Sequence, residues 1–303
     1  MTNFVWREQI TVNSPSWVER IRSLVWKCAI ATLLLMMVGS ATRVMDAGLA
    51  CPDWPLCYGQ LVPHQQMNFQ VFLEWFHRLD AALIGLSTLI LTGVSWWQRR
   101  ALPTWLPWAS SFALLAIVFQ GVLGGLTVTE LLRFDIVTAH LATAMLFFAT
   151  LVVMGTMLSP YQGTGAGYPL AWVSGTAATL VYLQSLLGGL VASRWAVHQC
   201  LGISQLCAVM NSHMAAVVPT TLVTASLIWL AWRTPALHFG LRQLTKAIAT
   251  LLILQIALGV ATFWFRLQVE PLTVAHHTIG VTLLGTLVAF TVLAIKDRQA
   301  VTV

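Results

Sequence analysis

Four histidines stand near the starts of alternate apolar runs in this 303-residue chain: His77 in FLEWFHRLDAALIG, His140 in DIVTAHLATAMLFF, His213 in VMNSHMAAVVP and His276 in PLTVAHHTIGV. Neutral imidazole binds iron well, and two imidazoles facing each other across a helical bundle make the axial pair of a bis-histidine haem. One histidine in such a place is ordinary packing. Four, each within about two turns of the start of its run, fall at one depth, roughly 5–10 Å in from one face at 1.5 Å per residue. Ionisable groups inside a bilayer are costly and mark functional sites. Pairing in chain order gives two sites, His77 with His140 and His213 with His276. The last run offers His277 as well; the shared A-H of runs 4 and 8 favours His276, and His277 points about 100° away on a helix.

Other reactive groups gather around the first pair. Glu74 and Arg78 flank His77 in EWFHR, with Glu74 three residues earlier and therefore on the same helical face. A carboxyl group beside a haem in apolar surroundings is suited to proton transfer. Arg78 is placed to bind a haem carboxylate, or to pair with Glu74 or Asp80. Met210 and Met214 stand around His213 instead, so the halves are unequal: one site for chemistry, one for electron storage. Cysteines come as two close pairs, Cys51 with Cys57 in CPDWPLC and Cys200 with Cys207, and Cys28 stands alone. Two short disulfides fit this spacing on an oxidising face. A thiolate metal site is the alternative, and it lacks a nearby third Cys.

The elements that must carry these groups are membrane spans. The chain is 58% hydrophobic and only 9% charged, where soluble domains carry about a quarter charged residues. Eight apolar runs are long enough to cross a bilayer, at 24–43, 71–97, 105–126, 135–158, 169–191, 208–232, 244–266 and 273–296. The polar start is too long and charged for a secretory leader, so the first run is expected to stay as a helix. With both termini inside, eleven of the sixteen Lys and Arg residues fall on the cytoplasmic side, as the positive-inside rule requires. The net charge of +6 is then topology rather than a nucleic-acid surface. Both cysteine loops face outward.

The spans repeat. Runs 3, 5 and 7 contain QGVLGGL, QSLLGGL and QIALGVA, runs 4 and 8 share A-H, and cysteine loops follow runs 1 and 5. This pattern predicts an all-α integral membrane protein whose eight transmembrane helices form two pseudo-symmetric four-helix bundles. Gly124, Gly125, Gly188 and Gly189 allow close approach of backbones or of a flat macrocycle. The expected organisation is a cytoplasmic segment 1–23, a first half 24–158 with outer loop 44–70, a linker 159–168, a second half 169–296 with outer loop 192–207, and a tail 297–303. His64, His198 and His238 read as surface residues.

The E-x-x-H-R of run 2, the loop ATRVMDAGLACPDWPLCYGQLVP, the Q-x-x-L-G-G-L-T of run 3 and the histidines of runs 4, 6 and 8 together resemble the haem A synthase family, over nearly the whole chain. The resemblance implies an inner-membrane oxidoreductase that oxidises a ring methyl of haem O to a formyl group by successive hydroxylations and loss of water. It implies haem b on His213 and His276, the substrate haem on His77 and His140, and Glu74 closest to catalysis. It further implies haem O synthase upstream and a quinol or other membrane electron donor; a homo-oligomer stays open. The cysteine loop becomes a lid over the first site, stiffened by Pro52 and Pro55, with Trp54 over a macrocycle edge or at the interface. The alternatives are a di-haem quinol-linked cytochrome that modifies no haem, and a transporter using the same groups as proton sites, against which the common depth argues.

Overall fold

A computed structural model describes residues 16–192 and 205–299. These form eight helices: α1 (Ser16–Val44), α2 (Phe69–Trp97), α3 (Leu106–Thr129), α4 (Phe134–Leu158), α5 (Leu170–Val191), α6 (Gln205–Arg233), α7 (Phe239–Trp264) and α8 (Glu270–Gln299). All eight are long and apolar enough to span a bilayer, and the protein is an all-α, multi-pass membrane protein. Helix α1 starts eight residues before the predicted run. Val18, Ile21 and Val25 form a buried stripe at helical spacing there, and a search for unbroken apolar runs overlooks a stripe.

Local chemistry sets the ends and satisfies the hydroxyls. The Asn68 side chain accepts the Val71 N–H at 2.9 Å and caps α2, and a proline in the first turn opens α3. In a bilayer each hydroxyl must find a partner nearby. Thr32, Thr88, Thr224 and Thr245 donate to the carbonyl four residues earlier, at 2.7–2.8 Å. A few polar bonds also cross between helices, such as Thr92 to the Ser110 carbonyl and Thr291 to Ser174 Oγ.

In the first half α1 packs on α2 and α4, and α3 on the same two; the diagonal pairs α1/α3 and α2/α4 do not touch. The second half repeats this with α5–α8. The halves meet through α1 with α8, α4 with α5 and α4 with α8, a set that maps onto itself when the halves are exchanged. Even the turns agree. Leu131 and Leu132 after α3 have φ of 51° and 61°, and Arg266 and Leu267 after α7 have 53° and 59°, with the same hydrogen bonds back into the preceding helix.

The core lies along the seam. A methyl group at Gly155 of α4 would stand 2.7 Å from Trp26 of α1, and one at Gly285 of α8 would stand 2.7 Å from Phe148 of α4. Helix α8 buries 50% of its most apolar stretch, whereas peripheral α3 and α7 bury 17% and turn Leu115, Phe119, Ile253 and Val260 outward. At the end opposite the cysteine loop, Lys296 donates to the carbonyls of Thr156, Met157 and Ser159. The buried Asp297 beside it accepts from Tyr161 Oη and from the N–H groups of Thr164 and Gly167, at 2.6–2.9 Å. The C-terminal helix thereby fastens the connection between the halves.

Candidate functional site

His77, His140, His213 and His276 sit six to eight residues into α2, α4, α6 and α8, about 9–12 Å along each axis. Each ring lies against a glycine of the preceding helix. A Cβ would stand 2.8 Å from His77 Cε1 at Gly39 on α1, and 3.3 Å from His140 Cε1 at Gly124 on α3. It would stand 3.0 Å from His213 Cε1 at Gly188 on α5, and 3.0 Å from His276 Cε1 at Gly259 on α7. The same contact therefore occurs four times, with histidines on one diagonal of each bundle and glycines on the other.

The four rings share their hydrogen-bonding state as well. In each, Nδ1 is buried and has no hydrogen-bond partner, while the ring as a whole is only half-buried. The carbonyl of the residue one turn before each glycine, namely Leu35, Gln120, Gln184 and Gln255, lies beside the ring. Gln184 Nε2 donates to the His213 carbonyl at 2.8 Å, and Gln255 Nε2 lies 3.4 Å from His276 Nε2. Within each half the two rings are close enough for charge on one to act on the other, His77 with His140 and His276 with His213.

This donor set was tested against a haem. Among the described residues no three His, Cys, Asp or Glu side chains come together to cage a metal ion. A haem needs no such cage, because the porphyrin supplies the four in-plane nitrogens and the protein only the axial pair. Two neutral imidazoles per half, on non-touching diagonal helices and backed by glycine, fit that requirement.

The first half adds a structured loop. Cys51 and Cys57 form a disulfide with Cα atoms 4.8 Å apart, and both residues are buried with Val71 of α2. Asp53 accepts the N–H groups of Tyr58 and Gly59 at 2.6 and 2.7 Å, closing the turn between Cys57 and Gln60. Trp54 lies over Gly125 of α3, whose neighbour Gly124 backs His140. The loop is pinned from below by the EWFHR residues. Arg78 donates to the carbonyls of Asp53, Leu56 and Cys51 at 2.6, 2.5 and 3.4 Å, and pairs with Glu74 Oε1 at 2.5 Å. Glu74, 4% exposed, accepts the Cys51 N–H on Oε2 at 2.8 Å.

Of the roles open to Arg78, pairing with Glu74 is the one found, and its two Nη atoms are engaged with the loop and that carboxylate. His277 lies close enough to Arg43 of α1 for the guanidinium charge to act on its ring. Cys28 is a buried free thiol. The expected Cys200–Cys207 pair, and His198, lie outside the described residues. Sequence reasoning missed Gly39 and Gly259. Both stand four residues after the position matched by Gln120 and Gln184, so the register of the repeat could have found them.

Two four-helix bundles fused about a pseudo-twofold axis, each with a histidine pair across one diagonal, define the class: a multi-pass membrane protein built from an internal repeat. The sequence pattern of the cytochrome oxidase assembly protein family matches residues 22–288, and the chain belongs to that family. It is 28% identical to the haem A synthase of Shewanella oneidensis, over 90% of this chain and 94% of that protein. It is 28% identical to the haem A synthase of Rhodospirillum centenum, over 86% and 84%, and 28% identical to that of Sphingopyxis alaskensis, over 76% and 73%.

Proposed function

We propose that this chain is a haem A synthase: it oxidises a ring methyl of haem O to a formyl group by successive hydroxylations and loss of water. The observation that carries this reading is the asymmetry of two otherwise matched histidine pairs. His77–His140 lies under a loop pinned to its own helix through the buried carboxylate of Glu74, and the matching position before His213 is Met210. We assign the first half, 24–158, to the substrate and the second, 169–296, to haem b on His213 and His276. Haem b when bound supplies one-electron transfer.

The chain's own residues have separable tasks. His77 and His140 hold the substrate iron, and Gly39 and Gly124 fix where their rings stand. Trp54 and the Cys51–Cys57 loop close the end of the site and exclude water. Arg78 gathers three loop carbonyls and so keeps the lid in register with α2. Glu74 and Asp80 both stand three residues from His77, but only Glu74 is buried. We assign proton transfer at the substrate to Glu74, oriented by the Cys51 N–H and Arg78. We assign both termini to the cytoplasm and the loop to the outer face of the inner membrane, a reading supported by the distribution of Lys and Arg. Electrons come from a quinol or another membrane donor, and haem O from its own synthase.

The test is haem extraction after expression with a haem O source. Formyl-bearing haem in the extract is the expected result. Haem b alone would replace this reading with a di-haem electron carrier, and no haem at all would overturn both.

A further inference from the structure

Arg43 ends α1 at the cysteine-loop side, four residues beyond Gly39 and so about 6 Å nearer that face. Its Nη2 donates to the Gly189 carbonyl of α5 at 2.7 Å, so the side chain leaves its own half and reaches across the seam. His277 of α8 stands beside it, close enough for the guanidinium charge to act on the ring. A guanidinium has five N–H donors, and among the described residues Arg43 makes this one hydrogen bond. Among the described residues no carboxylate forms an ion pair with it; the pairs present are Arg78–Glu74, Arg133–Glu130 and Arg133–Asp135.

A cation in a partly buried seam of a membrane protein is costly without a counter-ion. The pseudo-symmetry shows that packing does not require it. The position four after Gly188, matching Arg43, is Ala192, and the residue after His140, matching His277, is Leu141. Leu141 packs closely on Gly189, where a Cβ would meet it at 2.6 Å. One side of the seam is thus apolar at both positions, and the other carries an arginine and a histidine. That departure sets a guanidinium across the seam between α1 and α5, next to Gly189 and about one turn beyond Gly39.

Carboxylates suit a guanidinium because two N–H groups meet two oxygens in one plane. Resting on the function proposed above, we propose that Arg43, with His277 beside it, binds a carboxylate side chain of a porphyrin held by one of the two histidine pairs. The seam then takes part in porphyrin recognition as well as holding the halves together.

The test titrates the purified full-length protein in lipid nanodiscs with iron protoporphyrin and, separately, with its dimethyl ester, which keeps the ring but lacks the charges. The unaltered protein should prefer the diacid by about tenfold or more, as expected for a charged hydrogen bond. Arg43→Gln retains an N–H donor for Gly189 and removes the charge, and it should erase the preference; Arg43→Lys should retain part of it. Repeating the titrations on His140→Ala and His213→Ala backgrounds identifies the source: the preference survives where the remaining pair is the one Arg43 serves. Full preference in Arg43→Gln on both backgrounds, or equal binding of diacid and ester by the unaltered protein, overturns this site while leaving the haem reading intact. Binding of neither porphyrin overturns the haem reading and this site with it.

Discussion

Adding one methyl group at Gly39 tests the histidine–glycine geometry directly. An ideal Cβ there stands 2.8 Å from His77 Cε1, and ordinary van der Waals contact begins at 3.4 Å, so the ring must retreat by about 0.6 Å. Its Nδ1 edge is already buried, so the imidazole has to rotate out of the line it shares with His140. Overpacking of this kind costs about 1–3 kcal/mol, or about 5- to 150-fold in an equilibrium that needs the original ring position. We therefore expect Gly39→Ala to weaken haem binding in the first half by that factor and leave the second half unaffected. Gly188→Ala and Gly259→Ala, at 3.0 Å, should weaken the second half more mildly, and Gly124→Ala, at 3.3 Å, should do least. Gly85→Ala on α2 is the control, because a Cβ there meets nothing within 4 Å. The assay is haem content and the optical spectrum of each purified variant, with helix content as a check on folding. Gly39→Ala with unaltered haem affinity and spectrum would refute the reasoning.

The remaining expectations are simpler to state. His213→Ala and His276→Ala should each abolish haem b retention; full haem content in both variants would remove the second pair from the assignment. Glu74→Ala should keep the helical fold and haem b yet lose haem A formation, and normal product yield would take Glu74 out of the mechanism. Replacing Cys51 and Cys57 together by serine releases a short loop closure worth about 2 kcal/mol on a chain-entropy basis, to be seen as a lower thermal midpoint. An unchanged midpoint would show that Arg78 and Glu74 hold the loop unaided. Burial, together with the hydrogen bond to Asp297, holds the Tyr161 phenol above the ordinary tyrosine range. Its contribution is therefore intact below the usual tyrosine pKa of about 10 and is lost as pH rises past it. Tyr161→Phe should lower stability at neutral pH and flatten that alkaline decline, and a parallel decline in both proteins would refute the link.

Much of the architecture was legible because the bilayer makes strong demands on sequence. Unbroken apolar runs located all eight helices, and the A-H pairs and Q-x-x-x-G strings located the repeat. The four histidines that share one geometry against a glycine were legible in residue type and order. Their glycine partners were only half legible: Gly124 and Gly188 sit in G-G pairs, whereas Gly39 lies in MMVGSAT with Leu35 in place of the glutamine. Pairing of Arg78 with Glu74 was among the options, but its hold on the loop could not be read, since those partners are backbone carbonyls of residues 22 to 27 positions away. A carbonyl acceptor leaves no mark on residue identity. Asp297 was hidden for the same reason. It sits at a polar chain end, and its burial depends on the linker folding back over it.

The diagonal placement of the histidines has a mechanical consequence. In each bundle one histidine rides on a peripheral helix, α2 or α6, and the other on a central helix, α4 or α8; the two central helices touch each other, and the paired ones do not. A load that spreads one bundle therefore passes through the α4–α8 contact to a histidine of the other. The two bundles are connected in series, like springs sharing a rigid spacer, so a change in one histidine–histidine spacing strains its counterpart across the axis.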